Sequence, residues 1–240
     1  MNRLNLAIWP QSTVFRKLLA WSAHLFTASG VVWGFLAILA IQNQQWKVAF
    51  IWMAVAVIVD GFDGELARRL RVQEYARGLD GALLDNIIDY LNYVIVPALF
   101  LYEAQLLPEQ FLLFGPLLIL LASAYQFCQV DAKTADHSFK GFPSYWNMVV
   151  IYLFLFDSHP WMNLVVIVFL SVLVFVPVKY LYPSRTRRFR KTSLLLSYAW
   201  GLLGVAILVL YPAVPAWLLW LSLLYVAYYA GVSLLISVRH

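Results

Sequence analysis

The sequence predicts an all-α, polytopic membrane protein with about eight transmembrane helices and both termini cytoplasmic. Three observations support this fold class. Apolar residues make up 63% of the 240 residues and charged residues only 12%, about half the roughly 25% that is usual in soluble domains. Eight apolar segments approach or reach the roughly 20 residues needed to span hydrocarbon. The basic residues gather in alternate loops between these segments.

The eight segments follow one another along the chain, and the fifth is the shortest. The first carries the polar His24 and still reaches spanning length, so we expect it to remain as a helix and not to be cleaved as a signal peptide. Since no Gly/Ser-rich linker divides the chain, residues 1–240 are expected to form a single domain. The predicted spans are 20–42, 46–67, 82–106, 109–130, 143–157, 160–182, 192–211 and 215–238.

The orientation follows from the positive-inside rule. If the loop at 68–77 is cytoplasmic, sixteen of the seventeen Lys and Arg residues fall at or near the inner side, leaving Lys47 outside. The predicted outer turns, 103–109 and 157–160, contain acids and no Lys or Arg. The net charge of +5 is therefore explained by membrane topology, and we expect no nucleic-acid partner. The single Cys128 excludes an internal disulfide.

Residues 60–89 hold seven of the twelve acidic residues, between two strongly apolar segments. Counted from Asp60, positions i+3, i+4, i+7 and i+8 share one helical face, and they are Asp63, Gly64, Ala67 and Arg68. In the third span, residues four apart are Gly81, Asp85 and Asp89, and Tyr93 is the next in this series. Two helices are therefore each expected to present a pair of carboxylates, beside small residues that let a ligand come close.

Four carboxylates at a bilayer are costly. Insertion scales put the free-energy cost of one Asp at a helix centre at about 2.5–3.5 kcal/mol. Like charges placed close together also repel one another. Two divalent cations would balance four negative charges, and hard oxygen ligands suit Mg²⁺ or Mn²⁺. Such a two-metal site can clamp a phosphoryl transfer. The alternative is that these residues are helix caps or solvated charges, since Asp60 and Asp80 each precede a glycine.

The segments DGFDGELAR at 60–68 and GALLDNIID at 81–89 resemble the signature of the CDP-alcohol phosphatidyltransferases. These integral membrane enzymes hold two metal ions between helices and move a phosphatidyl, or related phosphoalcohol, group from a CDP-linked donor to an alcohol. Most of the family leaves eight residues between the Arg and the second Gly, whereas twelve separate Arg68 from Gly81. The longer gap resembles the bacterial branch that joins choline to CDP-diacylglycerol. Further likeness lies in WSAHLFTASG at 21–30, LDNIIDYLNYVIVPA at 84–98 and KGFPSYWNMVV at 140–150.

The resemblance implies roles for the residues of the signature. It makes Asp89 the base that deprotonates the attacking hydroxyl, and it implies a bacterial inner membrane with the site facing the cytoplasm. Many family members are dimers, so a homodimer is compatible with it. The implied ligands of two divalent cations, Mn²⁺ or Mg²⁺, are Asp60, Asp63, Asp85 and Asp89. The implied contacts to CDP-diacylglycerol are Asp60, Gly64, Ala67, Arg68 and Gly81.

No motif identifies the residues that bind the acceptor, so they are predicted from the chemistry of the acceptor itself. A quaternary ammonium group has no hydrogen-bond donor and is usually held over aromatic faces. The aromatic candidates for choline are Tyr145 and Trp146 first, then Tyr90 and Tyr93, with packing or interfacial anchoring as the alternative for each. The basic candidates for the phosphate of the lipid donor are Arg185, Lys179, Lys133 and Lys140, with anchoring to anionic headgroups as the alternative.

Two other functions remain open from the sequence. The same chemistry could use serine, glycerol 3-phosphate or inositol as the acceptor, which would call for a basic pocket in place of an aromatic one. Carboxylates inside a membrane also mark the ion pathways of transporters. The acids cluster at one membrane face, and the sequence has no evident internal repeat, so both features favour the enzyme. His24 is interpreted either as a packing residue or as an indirect contact to the site.

Overall fold

The computed structural model describes residues 13–129, 139–180 and 190–238. Within these ranges the chain is almost entirely helical. Its α-helices are α1 (Thr13–Gln42), α2 (Trp46–Arg69), α3 (Val72–Tyr75), α4 (Gly81–Tyr90), α5 (Val96–Glu103), α6 (Phe114–Cys128), α7 (Trp146–Leu155), α8 (Pro160–Phe175), α9 (Arg190–Leu210) and α10 (Ala216–Val238). The other elements are a π-helix (Leu91–Ile95), a 3-10 turn (Glu109–Phe111) and two short strands, β1 (Phe139–Lys140) and β2 (Lys179–Tyr180).

Each of the eight predicted apolar segments coincides with helix. Two of them, α7 and α8, are short, and α2 has 24 residues but includes the charged Lys47, Asp60 and Asp63. Five segments are long and apolar enough to cross a membrane, namely Thr13–Gln42, Gly81–Glu103, Glu109–Cys128, Lys191–Leu210 and Ala216–Ser237. The all-helical class is therefore confirmed, and the helices are those of a multi-pass membrane protein.

The third segment is not one regular helix. Helix α4 passes into the π-helix Leu91–Ile95, and α5 then continues the segment. A π turn inserts an extra residue and rotates the side chains that follow it. Here the rotation carries Asn92 toward α1 and Tyr93 toward α2, where their side chains bond to Gly30 and Asp60.

Helix α1 approaches the third segment closely at two glycines. The Asn92 amide donates to the Gly30 carbonyl oxygen at 3.1 Å, and both Gly30 and Gly34 are buried. A Cβ atom at Gly34 would lie 3.1 Å from a Leu91 methyl carbon and would collide with the Asn92 amide oxygen. Small residues let helices come this close inside a bilayer. The contact fixes α4, and with it the carboxylates of α4, against α1.

An aromatic core holds the other helices. Phe100 is fully buried, and its ring lies 5.3 Å from those of Trp46, Phe50 and Phe154. Trp146, at the start of α7, is also fully buried, and its indole N–H donates to the Ser123 hydroxyl at 2.7 Å. This hydrogen bond satisfies the indole nitrogen inside the core.

The two short strands join the end of α8 to the loop before α7. Strand β1 pairs antiparallel with β2, with Phe139 opposite Tyr180 and Lys140 opposite Lys179. Gly141 follows at φ +81°, a conformation that favours glycine, with its backbone packed directly against the Val174 carbonyl. The Gly141 N–H donates to the Val178 carbonyl at 2.9 Å. These contacts fix the chain just before Tyr145.

The outer surface is rich in large apolar side chains. Leu25 on α1, Leu121 on α6 and Leu202 on α9 are all more than 70% exposed. Exposed apolar area on this scale is unusual for a soluble monomer. Hydrocarbon chains would cover these faces in a bilayer, in agreement with the composition.

The close approach of α1 predicts that Gly34→Leu destabilises the fold. The new side chain would displace Asn92 and Leu91, and overpacking of this kind costs about 1–3 kcal/mol. The control is Gly201→Leu on α9, where nothing lies within 4 Å of an added Cβ. We expect a lower thermal midpoint for Gly34→Leu in detergent and little change for the control. Equal midpoints for the two variants would contradict this packing.

Candidate active site

Helices α2 and α4 bring the acidic residues together. Helix α2 continues to Arg69, and Arg71 then turns the chain in the left-handed region at φ 53°. After the single turn of α3, Asp80 caps the N-terminus of α4, accepting hydrogen bonds from the backbone N–H groups of Ala82 at 3.0 Å and Leu83 at 3.1 Å. The capping alternative is therefore correct for Asp80. Asp60, in contrast, lies inside α2 and caps nothing.

Three of the four predicted carboxylates form one cluster. Asp60, Asp85 and Asp89 each offer a carboxylate oxygen, and these oxygens lie within 4.8 Å of one another. The carboxyl groups of Asp60 and Asp89 are within hydrogen-bonding reach. Asp63 lies outside this closest group, but it is buried at 7% exposure and interacts electrostatically with Asp60 and Asp85.

Tyr93, one of the predicted choline residues, bonds directly to the carboxylate cluster. Its hydroxyl donates to Asp60 Oδ2 at 2.7 Å. The π-helix supplies this residue, so the irregular turn of the third segment has a direct consequence for the site. The hydrogen bond fixes the orientation of the Asp60 carboxylate.

The donor set fits hard divalent cations. The clustered atoms are all carboxylate oxygens, which Mg²⁺ and Mn²⁺ prefer. Three arginines near this end of α2 pair with glutamates in the described residues: Arg68 and Arg69 each bond to Glu65 at 2.9 Å. Arg71 is likewise paired with Glu74. A divalent cation would offset the repulsion among the grouped carboxylates.

An open cleft of about 1200 Å³ lies beside the carboxylates, between α1, α2, α3 and α4. Residues of the loop before α4, Leu79 and Asp80 among them, also line it. Its walls include the predicted CDP-diacylglycerol contacts Gly64, Ala67, Arg68 and Gly81, together with Asp63 and Asp85. The structure therefore brings the separate halves of the signature to one cavity.

Two glycines keep this cleft wide. A Cβ atom at Gly81 would lie 3.0 Å from His24 Cε1, and one at Gly64 would lie 3.3 Å from an Arg68 guanidinium nitrogen. Glycine at these points lets a ligand approach the helix backbone. In the part of the chain that the structure describes, Arg68 is held by an exposed ion pair with Glu65. Exposed pairs of this kind contribute little stability, so the guanidinium can exchange Glu65 for an anionic ligand.

His24 lines the cleft, and the sequence alone did not decide between a packing role and a contact to the site. It lies on α1 at 6% exposure and meets Trp21 edge to face at 5.7 Å. Among the described residues its Nε2 atom has no hydrogen-bond partner. A buried polar atom without a partner is costly, so a ligand in this cleft would gain a hydrogen bond here. The only signal in the sequence is a histidine within an apolar segment.

The four predicted choline residues separate into two pairs. Tyr93 and Tyr145 meet edge to face with their centroids 6.2 Å apart, next to the carboxylates. Trp146 is enclosed in the core, so its ring presents no face to a ligand. The Tyr90 hydroxyl donates to the Leu120 carbonyl at 2.9 Å, and its ring packs against Phe127. Tyr90 and Tyr93, and likewise Tyr145 and Trp146, are close in the chain but make different contacts, which the aromatic composition could not reveal.

The predicted lipid-phosphate residues are only partly described. Lys133 and Arg185 lie outside the described residues. Lys140 and Lys179 face each other across the β1–β2 ladder, and both are half-buried. Their contact with a lipid phosphate stays a prediction.

Comparison with known proteins gives one consistent result. The family model of the CDP-alcohol phosphatidyltransferases matches residues 20–229. The chain is 39% identical to the phosphatidylcholine synthase of Pseudomonas aeruginosa, over 95% of this chain and 95% of that protein. It is 41% identical to that of Legionella pneumophila, over 94% of this chain and 91% of that protein. For the phosphatidylcholine synthase of Borreliella burgdorferi the identity is 41%, over 74% of this chain and 76% of the relative.

Proposed function

Because this chain belongs to the CDP-alcohol phosphatidyltransferase family, we propose that it transfers the phosphatidyl group of CDP-diacylglycerol to choline. The products are phosphatidylcholine and CMP. The observation that carries the proposal is the carboxylate cluster of Asp60, Asp85 and Asp89 beside an open cleft lined by the signature residues. The choice of choline rests on the relatives named phosphatidylcholine synthase, which match most of the chain, and on the tyrosines next to the cluster.

The metal site in this proposal uses all four aspartates. Asp60, Asp63, Asp85 and Asp89 would hold two divalent cations, Mn²⁺ or Mg²⁺. When bound, such ions polarise a pyrophosphate and offset the negative charge that develops on it. The Tyr93 hydrogen bond to Asp60 keeps one carboxylate in place before any ligand arrives. Pre-set donors of this kind avoid reorganisation during the reaction.

The donor binds in the cleft. Gly64, Ala67 and Gly81 leave room for the cytidine diphosphate group against the helix backbones. Arg68 leaves Glu65 and forks onto phosphate oxygens, since a planar guanidinium matches them with two parallel hydrogen bonds. His24 donates from Nε2 to the nucleotide or its phosphates. The diacylglycerol end remains at the apolar surface of the helices.

The reaction itself is a substitution at the phosphorus that carries diacylglycerol. Asp89 accepts the proton of the choline hydroxyl, and that oxygen forms the new bond to phosphorus. The bond from phosphorus to the oxygen bridging it to CMP breaks, and CMP leaves with the electron pair. Tyr93 and Tyr145 contact the choline on the side of Asp89. The basic residues Lys133, Lys140, Lys179 and Arg185 are proposed to face the phosphates and headgroups of lipids.

The proposal includes a membrane arrangement. Eight helices would cross the bacterial inner membrane, with both termini and the carboxylates on the cytoplasmic side, where water-soluble choline can meet a lipid donor. The helices that coincide with all eight predicted segments support this topology. The chain would act as one domain, and a homodimer is the proposed assembly because many members of the family are dimers.

The direct test is an acceptor screen on the purified, full-length protein. CDP-diacylglycerol and Mn²⁺ would be supplied with choline, serine, glycerol 3-phosphate or inositol, and the lipid product identified by mass. We expect phosphatidylcholine with choline alone, and none after EDTA treatment until Mn²⁺ is restored. A product made with a different acceptor would overturn the choline assignment, and a complete lack of product would overturn the enzymatic one.

The proposed base predicts the behaviour of Asp89→Asn. Because an amide cannot take up the hydroxyl proton, turnover should fall by about 100-fold or more, while binding of CDP-diacylglycerol is largely kept. Steady-state rates and equilibrium donor binding would be measured on the same preparation. The matched control is Asp157→Asn, an exposed position in the turn after α7, which should behave like wild type. Near-normal turnover in Asp89→Asn would refute the assignment.

A further inference from the structure

We infer that Tyr229 and Tyr180 complete an aromatic pocket for the quaternary ammonium group of the acceptor. These residues come from α10 and β2, outside the signature and far from it in the chain. They join Tyr145 and Tyr93 in a row that leads to the carboxylates, and this row is called the tyrosine row below. The inference rests on the proposed function and deepens it, because it says which residues select a choline-like acceptor.

The geometry of the rings is the first support. Tyr93 and Tyr145 have centroids 6.2 Å apart and planes at 60°. Tyr145 and Tyr229 repeat this arrangement at 6.3 Å and 62°, and Tyr180 stacks on Tyr229 at 6.3 Å and 28°. Rings that meet at about 60° form corners, in which one cation can lie over one face and beside the next. Cation–π contacts extend to about 6 Å from a ring centroid, so neighbouring rings of the row can share one cation.

The position of the row is the second support. Tyr93 donates to Asp60 at 2.7 Å, and Asp60 belongs to the same carboxylate cluster as Asp89, so one end of the row borders the proposed reaction centre. The short carbon chain of choline would therefore let its ammonium group touch the row while its hydroxyl reaches Asp89.

The chemistry of the row favours a methylated ammonium. All four rings are half-buried, so each keeps part of its surface open while its body is packed. The Tyr93 hydroxyl is already committed to Asp60, and phenol groups offer few strong acceptors for a primary ammonium. Side chains alternate along a strand, so Lys179 points to the opposite face of β2 from Tyr180. The cationic side chain is thus kept away from the row.

Hydrogen bonds and ring packing fix the end of the row at Tyr180, away from the carboxylates. The Lys179 backbone N–H donates to the Ser237 hydroxyl at 2.6 Å, and that hydroxyl donates back to the Lys179 carbonyl at 3.2 Å. This double contact ties β2 to α10, while the ladder ties β2 to β1. Phe142 supports the Tyr180 ring at 6.2 Å, edge to face. Helix α10 therefore closes the acceptor side of the proposed site.

The test compares Tyr229→Leu with Tyr229→Phe in the full-length protein. Loss of the ring face should raise the KM for choline about tenfold or more, whereas Phe keeps the face and should stay near wild type. The KM for CDP-diacylglycerol should not change in either variant. Tyr198→Leu is the control, because this aromatic residue on α9 is 70% exposed and its ring is not one of the four that form the row.

A second readout separates ring–cation contact from simple packing. The neutral isostere 3,3-dimethyl-1-butanol would be compared with choline as the acceptor, and the ratio of the two kcat/KM values measured. Wild type should strongly prefer choline, and Tyr229→Leu should lose most of that preference. Tyr180→Leu should shift the ratio in the same direction, and it serves as the test if Tyr229→Leu does not fold.

Three outcomes would overturn the inference. The first is an unaltered choline KM in both Leu variants that fold, and the second is an equal rise in the KM for CDP-diacylglycerol. The third is an unaltered preference for choline over its neutral isostere. In each of these cases a wild-type protein that forms phosphatidylcholine still upholds the proposed function. A wild-type protein that does not use choline overturns both the inference and the proposed function.

Discussion

Negative charge gathered at one end of two apolar helices is the constraint on which the rest of the structure depends. Asp60, Asp85 and Asp89 hold carboxylate oxygens within 4.8 Å of one another, and buried Asp63 interacts with two of them. Like charges so close repel strongly away from bulk water. Among the described residues, Arg68, Arg69 and Arg71 near the cluster pair with glutamates. The arrangement therefore suits a site in which cations are coordinated both by these carboxylates and by the phosphate groups of a ligand.

Several features of the fold serve to keep these groups in place. Glycines on α1 let the third helical segment pack close, and Asn92 bonds to the Gly30 carbonyl. The same π-helical turn that directs Asn92 to α1 directs Tyr93 to Asp60. Asp80 caps α4 and fixes where its first turn begins. Packing, capping and a local irregularity of the helix thus combine to define the positions of the four carboxylates.

Much of this could be predicted from the sequence, because hydrophobic segments and fixed spacings depend on local chemistry. The eight helical segments, the shared face of Asp60 and Asp63, and the meeting of the two signature halves all follow from patterns of this kind. From the sequence Asp80 was compatible with a helix cap or a solvated charge, and its hydrogen bonds from Ala82 and Leu83 identify it as the cap.

Features made by distant residues could not be predicted. All four predicted choline residues are aromatic, yet Trp146 is buried in the core and Tyr90 bonds to Leu120, whereas Tyr93 and Tyr145 lie beside the carboxylates. Tyr180 and Tyr229 belong to the same row, although they follow Tyr93 by 87 and 136 residues in the chain (180 less 93, and 229 less 93). No local spacing in the sequence could therefore reveal them. The π-helix is also invisible in the sequence, because Leu91–Ile95 reads as ordinary apolar helix.

The measurement that tests the central claim most directly is anomalous diffraction at the manganese edge, on crystals of the full-length protein grown with Mn²⁺. The account predicts anomalous peaks between α2 and α4, bounded by the carboxylates of Asp60, Asp63, Asp85 and Asp89. It also predicts that the peaks disappear in a variant carrying Asp60→Asn and Asp85→Asn. Manganese bound only elsewhere, or no peak at these carboxylates in crystals of active protein, would contradict the account.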